Sequence, residues 1–158
     1  VEPTAMFIHA AIHRLCGKAV VLHTHMPYAT ALALTGDGTL DTCLSQNAMR
    51  FHGRAALDPH YNGLALDAGE GERIAGTMHG ADVVFLANHG VVVCGERVDH
   101  AYDDLYYLER ACQAQVLAQS TGRPLAPVNA ELAARVAAQT QGERLQSELF
   151  FEALRRTV

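Results

Sequence analysis

The sequence predicts an α/β fold, and two observations carry that expectation. Short apolar runs of strand character, "AVVL" at 19–22 and the two halves of "DVVFLANHGVVVCG" at 82–95, alternate with segments of helical period. The longest of those segments has Val98, Tyr102, Leu105, Leu108, Cys112 and Val116 at three- and four-residue spacing. Length sets the scale: 158 residues, 49% hydrophobic and 18% charged, suit one domain spanning 1–158 around one core.

Taken in order, Thr4 is placed to cap a helix running to about Leu15, with Met6, Ala10 and Ile12 among its apolar positions, until Gly17 breaks it. Residues 19–23 read as a buried strand. From Met26 to about Thr35, the residues Tyr28, Ala31, Leu32 and Leu34 predict a short helix, stopped by "GDG" at 36–38. The stretch 39–65 carries mixed signals: "LSQNAMRFHG" fits helix or strand, and "DPHYNG" at 58–63 fits a loop. "EGERIAGTMHG" at 70–80 predicts an amphipathic helix closed by Gly80, and two buried strands over 82–95 meet at Asn88-His89-Gly90. The long helix that follows ends by Gly122 and Pro124, "GRPLAPVN" at 122–129 is linker-like, and one or two more helices follow Pro127.

Bulk properties narrow the function classes. A net charge of −5, a pI near 5.9 and no run of Lys or Arg argue against nucleic acid as a partner. The apolar runs are far shorter than a membrane span. Cys16, Cys43, Cys94 and Cys112 lie scattered without a CxxC pair, which predicts reduced thiols in a cytoplasmic protein. The opening "VEPTAMFIHAAIHR" goes directly into a helix pattern with no signal peptide, and the missing initiator Met predicts a fragment. Nine histidines are the one compositional excess, and they direct attention to metal or proton chemistry.

His23 and His25 stand at i and i+2 at a strand tip, where both rings can face one ion and Thr24 faces the other way. Two solvated imidazoles fit the same pattern. His89 adds a third, set in a turn between two apolar strands, with Asn88 before it and Gly90 after it to allow close backbone approach or a positive φ. Three neutral imidazoles with an open position form a catalytic rather than a structural coordination set.

"HTH" at 23–25, "ANHGVVVCG" at 87–95 and "AYDDLYYLERACQAQVLA" at 101–118 together resemble the class II aldolase/adducin family, which includes fuculose-1-phosphate aldolase and ribulose-5-phosphate 4-epimerase. The resemblance runs from about Glu2 to Gly122. It implies a three-layer α/β/α domain with a central, mainly antiparallel sheet, and a divalent metal, commonly zinc, held by His23, His25 and His89. Mn²⁺ and Fe²⁺ are the alternatives when substrate oxygens complete the shell. The implied chemistry is that of a carbon–carbon lyase: the metal binds adjacent oxygens of a small hydroxy-carbonyl substrate and stabilises the enediolate formed on aldol cleavage. The resemblance also implies a homo-oligomer, a tetramer with the site between subunits.

Two departures qualify the resemblance. Where the family's aldolases carry an acid/base Glu in a "PSSE"-like segment, this chain has "EPTAM", with Met6 at the Glu position and Glu2 a few residues earlier as the remaining candidate. Decarboxylation of a chelated oxo- or hydroxy-acid needs an electron sink and a proton donor but no base, so it stands as the alternative reaction. The family's N-terminal portion, with its phosphate-holding loops, is also expected to be missing, and of the paired serines only Thr4 remains. A phosphorylated substrate is therefore not expected.

The other candidates are Tyr61 as a loop proton donor or a loop anchor, and Thr4, His9 and Asn88 as substrate contacts. His9 and His13 outline a zincin "HAAIH", but Ala10 replaces the needed Glu, so a packed helix face is the plainer alternative. His52, His60, His79 and His100 are expected at the surface or an interface. Asp103, Asp104, Tyr106 and Tyr107 are expected to form a solvated helix face or a subunit interface. A reading from another class, a non-catalytic adducin-like scaffold, is opposed by the three histidines.

Overall fold

A computed structural model describes residues 3–157. Its four strands form one sheet in the order β1-β4-β3-β2, where β1 is Val20–Thr24, β2 Ala55–Asp58, β3 Val83–Leu86 and β4 Gly90–Gly95. β4 pairs antiparallel with both β1 and β3, and β2 adds a parallel edge to β3. The helices are α1 Pro3–Cys16, α2 Pro27–Ala33, α3 Gln46–Met49, α4 Ala68–Thr77, α5 Val98–Ser120, α6 Ala130–Gly142 and α7 Arg144–Arg155.

Side chains alternate across a strand, so the run of buried residues in β3 and β4 supplies two faces. Val83, Phe85, Val91 and Val93 pack with Ala29 and Leu32 of α2 and Leu108 and Cys112 of α5. Val84, Leu86, Val92 and Cys94 turn to the opposite side and pack with Ile8 and Ile12 of α1 and Ile74 of α4. Helices on both faces of a mainly antiparallel sheet make the three-layer α/β/α arrangement. Gly71 marks how closely α4 lies on α1: a Cβ there would stand 2.4 Å from the Phe7 carbonyl oxygen. Among the described residues, no helix is long and apolar enough to cross a membrane.

Several expectations need correction. Pro3 already belongs to the first helix, which places Thr4 inside it rather than at the cap. Met6 and Ala10 are exposed, and the packed face is Ile8, Ala11 and Ile12. The ambiguous 39–65 stretch holds both α3, capped by Ser45 accepting from the Ala48 amide, and the short strand β2.

Asp103 and Asp104 do not form a solvated face: they are 4% and 2% exposed. The Arg54 guanidinium donates to Asp104 at 2.8 Å, and Arg144 of α7 donates to both Asp104 oxygens at 2.9 and 2.8 Å. Arg50 and the Ser147 hydroxyl donate to Asp103. Tyr107 is half-buried under the Arg50 guanidinium, whereas Tyr106 is exposed. Burial alone would raise the Asp104 pKa, yet the Arg144 and Arg54 cations hold it below the usual carboxylate value. This buried charge cluster fastens α7 to α5 and to the segment before β2.

Candidate metal centre

The cluster at the centre of the site follows from strand register. Val21 packs toward α1 and α4, so His23, two residues on and opposite Val92, faces the same side. His25 lies just beyond the end of β1. His89 ends the three-residue link from β3 to β4, which is held by the Ala87 amide donating to Asp58, the Asn88 amide to Ala33 and the His89 amide to Leu86. Because β4 pairs with both β1 and β3, that link is carried to the tip of β1.

The three rings meet there. Their centroids are 5.1 Å apart for His23–His25 and 4.8 Å for each of the pairs with His89. One ring nitrogen from each lies within 4.8 Å of the others, and among the described residues this is the one group of three or more His, Cys, Asp or Glu close enough to share an ion. His23 Nδ1 lies 3.0 Å from the Val91 carbonyl oxygen. A carbonyl oxygen only accepts, so Nδ1 carries the proton and donates, and the Nε2 lone pair is left free.

Burial, and then the neighbouring His89, push the His23 pKa down to about 4, and burial followed by His25 lowers that of His89. Both rings are therefore neutral at pH 7, the form that ligates metal. Three convergent imidazoles, one fixed in its tautomer by a backbone carbonyl, fit a divalent ion in donor type and number.

Of the two roles read for Gly90, close backbone approach or a positive φ, the positive φ falls instead at Asn88, with φ 58°. Asparagine tolerates that region better than most residues. Gly90 serves close approach: a Cβ there would lie 2.5 Å from the Thr24 carbonyl oxygen and 2.7 Å from His25 Cδ2.

The other candidates divide. The Tyr61 ring lies 6.0 Å from the His89 ring and is 48% exposed. His9 is half-buried on α1, close enough to His23 for protonation of one to disfavour protonation of the other. Burial, and then His13, lower its pKa. His13 is exposed and bonds to the Lys18 carbonyl through Nδ1, 2.6 Å away. Thr4 sits partly buried in the first turn of α1, and Glu2 lies outside the described residues. His52 pairs with the Thr42 hydroxyl at 2.9 Å, and His100 is half-buried beside Glu148. His60 and His79 are exposed, and all four cysteines are free thiols.

Sequence reasoning passed over Asp58, Glu70 and Arg73, which line a small recess with Tyr61 and His89. Arg73 donates to both Asp58 oxygens at 2.7 Å and to Glu70 at 2.7 Å. The i, i+3 spacing of Glu70 and Arg73 on a helix was the available signal, while the partner on β2 had none. Glu109 of α5 was also passed over: its carboxylate accepts from the Tyr28 and Ala29 amides, each at 2.9 Å, and caps the helix that follows His25.

Comparison with known proteins agrees with this architecture. A model of the class II aldolase and adducin N-terminal domain matches residues 2–116. Decarboxylase NovR of Streptomyces niveus is 33% identical over 150 residues, which cover 94% of this chain and 53% of that protein. A protein of Streptomyces roseochromogenus subsp. oscitans named 4-hydroxy-3-prenylphenylpyruvate oxygenase/4-hydroxy-3-prenylbenzoate synthase is 34% identical over 146 residues, 92% of this chain and 51% of its own. The crystal structure of an aldolase II superfamily protein from Pseudomonas syringae superposes with a TM-score of 0.86 at 35% identity, across 99% of this chain and 62% of that one. The chain spans about half the length of the named relatives it matches. With the family model covering most of its length and an imidazole cluster at the sheet tip, the chain belongs to the class II aldolase/adducin family.

Proposed function

We propose that the protein is a divalent-metal-dependent carbon–carbon lyase whose ion is held by His23, His25 and His89, and that it acts on a small hydroxy- or oxo-acid by decarboxylation. The observation that carries the metal assignment is the convergence of three imidazoles at centroid distances of 4.8–5.1 Å. Zinc suits three nitrogen donors best, with Mn²⁺ or Fe²⁺ as alternatives. When bound, such an ion supplies Lewis acidity to adjacent substrate oxygens.

The protein's own groups support decarboxylation over aldol cleavage. Met6 occupies the position expected for the acid/base carboxylate and is 45% exposed. The two carboxylates lining the recess beside His89, Asp58 and Glu70, are both paired with Arg73, and its hydrogen bond holds Glu70 below the usual carboxylate range. Loss of CO₂ requires no base, only a proton delivered afterwards to carbon. Tyr61 is the phenol whose ring packs against His89, and we assign it that delivery. His9 and Thr4 on α1, and Asn88 at the turn, are the proposed substrate contacts. The relative named as a decarboxylase agrees with this choice.

Aldol cleavage is the second reading, because the matching family is named for aldolases and Glu2 would serve as its base. Both readings extend to a cytoplasmic homo-oligomer, a tetramer by analogy with the family. The test is to incubate the metal-loaded protein with small oxo- and hydroxy-acids and analyse the products. CO₂ release that disappears in His89→Ala supports the decarboxylase; an aldehyde product moves the assignment to aldol cleavage. No turnover together with no metal uptake would favour an adducin-like scaffold.

A further inference from the structure

We propose that Arg73 is a positioning residue for the cluster: with Asp58 and Glu70 it clamps the segment 59–63 from both sides and so holds Tyr61 beside His89. The inference rests on the assignment of Tyr61 and the metal centre above. Asp58, at the end of β2, is 1% exposed, and Glu70 and Arg73 lie a turn apart on α4. The ion triad therefore bridges the sheet to α4 directly under the loop.

Both neighbours of Tyr61 are tied to it. The His60 amide donates to Asp58 at 3.2 Å, and Arg73 Nη2 donates to the His60 carbonyl at 3.2 Å. On the other side, Asn62 Nδ2 donates to Glu70 Oε2 at 3.2 Å. Tyr61 is anchored on each flank, although its own side chain is half exposed and outside the core. Tyr61 sits outside the two packed cores, so the polar clamp on its neighbours is what holds its backbone beside His89.

The residue type follows from the geometry. One cation must meet a bidentate carboxylate on β2, a second carboxylate on α4 and a backbone carbonyl in the loop. Only the planar guanidinium, with donors spread along a fixed fork, reaches all three; an ammonium is a point donor. Arg73→Lys keeps the charge and is expected to lose the clamp.

The chain has no tryptophan, so Tyr61→Trp introduces a single indole as a reporter. Co²⁺ is the probe: its uptake is measured as stoichiometry, and its proximity as quenching of the indole. In Tyr61→Trp, Co²⁺ binds and quenches. In Tyr61→Trp combined with Arg73→Lys, Co²⁺ binds in the same stoichiometry but most of the quenching is lost, and amide exchange at 60–63 accelerates while that of β3 and β4 does not. Arg14→Gln, which removes the exposed Arg14–Glu72 pair between α1 and α4, changes neither readout.

Unchanged quenching and unchanged exchange at 60–63 in the Arg73→Lys protein overturn the proposal. If the parent takes up no Co²⁺, the metal assignment fails by itself, and exchange at 60–63 in the metal-free proteins still decides the clamp. Should Arg73→Lys fail to fold, Glu70→Gln, which weakens the Asn62 arm and leaves Arg73 on Asp58, is expected to show the same loss in smaller measure. No acceleration at 60–63 in that variant would also overturn the proposal.

Discussion

Gly90→Ala tests the packing that brings the three imidazoles together. The methyl group would meet a backbone carbonyl oxygen, Thr24 O, at 2.5 Å, and His25 Cδ2 at 2.7 Å. The Thr24 carbonyl is backbone and cannot swing aside as a side-chain end would. An ordinary contact of 3.4 Å requires the start of β4 and the end of β1 to separate by about 0.9 Å, and overpacking of this kind costs about 1–3 kcal/mol. At this chain length each kcal/mol lowers Tm by about 2–4 °C, so a drop of about 2–12 °C is expected in metal-free protein. The same displacement moves His25 relative to His89, and disturbance of supporting structure lowers metal affinity by about 10- to 100-fold. Thermal melts in chelator and a Co²⁺ titration followed by visible absorption measure the two effects. Gly76→Ala, in α4 with open space around it, is the control and should raise stability by about 0.4–1 kcal/mol. A Gly90→Ala protein with unchanged Tm and unchanged Co²⁺ affinity would refute the close approach of the two strands.

The remaining predictions concern the frame around the site. Asp104→Ala leaves the Arg54 and Arg144 guanidinium groups without their buried partner and should cost about 3–5 kcal/mol by denaturant unfolding; a loss under about 1 kcal/mol would show that the cluster carries little. Because the folded-state pKa of Asp104 lies below its unfolded value of 3.8, the carboxylate's contribution is complete above that pH and is lost as pH falls through the folded value. The acid limb of the Tm profile should accordingly be flatter in Asp104→Ala than in the parent. Glu109→Gln weakens the cap on α2 by about 0.5–2 kcal/mol and should speed amide exchange at Tyr28 and Ala29, and unaltered exchange there would contradict the capping role.

The parts of the molecule legible in the sequence are those set by local pattern. β3 and β4 read as strands because each is a short, wholly apolar run, and α5 because its stripe persists over 23 residues. The imidazole cluster was legible because i and i+2 on a strand share a side, and because His89 stands in a turn between strands. Its closure depends on β4 lying between β1 and β3, which no local spacing encodes.

What escaped depends on partners distant in the chain. β2 is four residues of "AALD", with little intrinsic strand preference, and it becomes a strand by pairing with β3. Asp103 and Asp104 look like surface acids until Arg50, Arg54 and Arg144 arrive from 40 or more residues away. Met6 and Ala10 fit an apolar helix pattern, but the position of the sheet selects the Ile8 and Ile12 face instead. Arg73 was invisible as a site residue because its second carboxylate, Asp58, lies on that same unrecognised strand.

If His23, His25 and His89 form one metal site, elemental analysis reads it out as retained ion. Protein loaded with Zn²⁺ and dialysed against metal-free buffer should retain about one equivalent per chain, and His23→Ala, His25→Ala and His89→Ala should each retain far less while keeping the parent's far-UV circular dichroism. Equal metal content in the parent and all three variants, or none in the parent, would rule out a site shared by the three histidines.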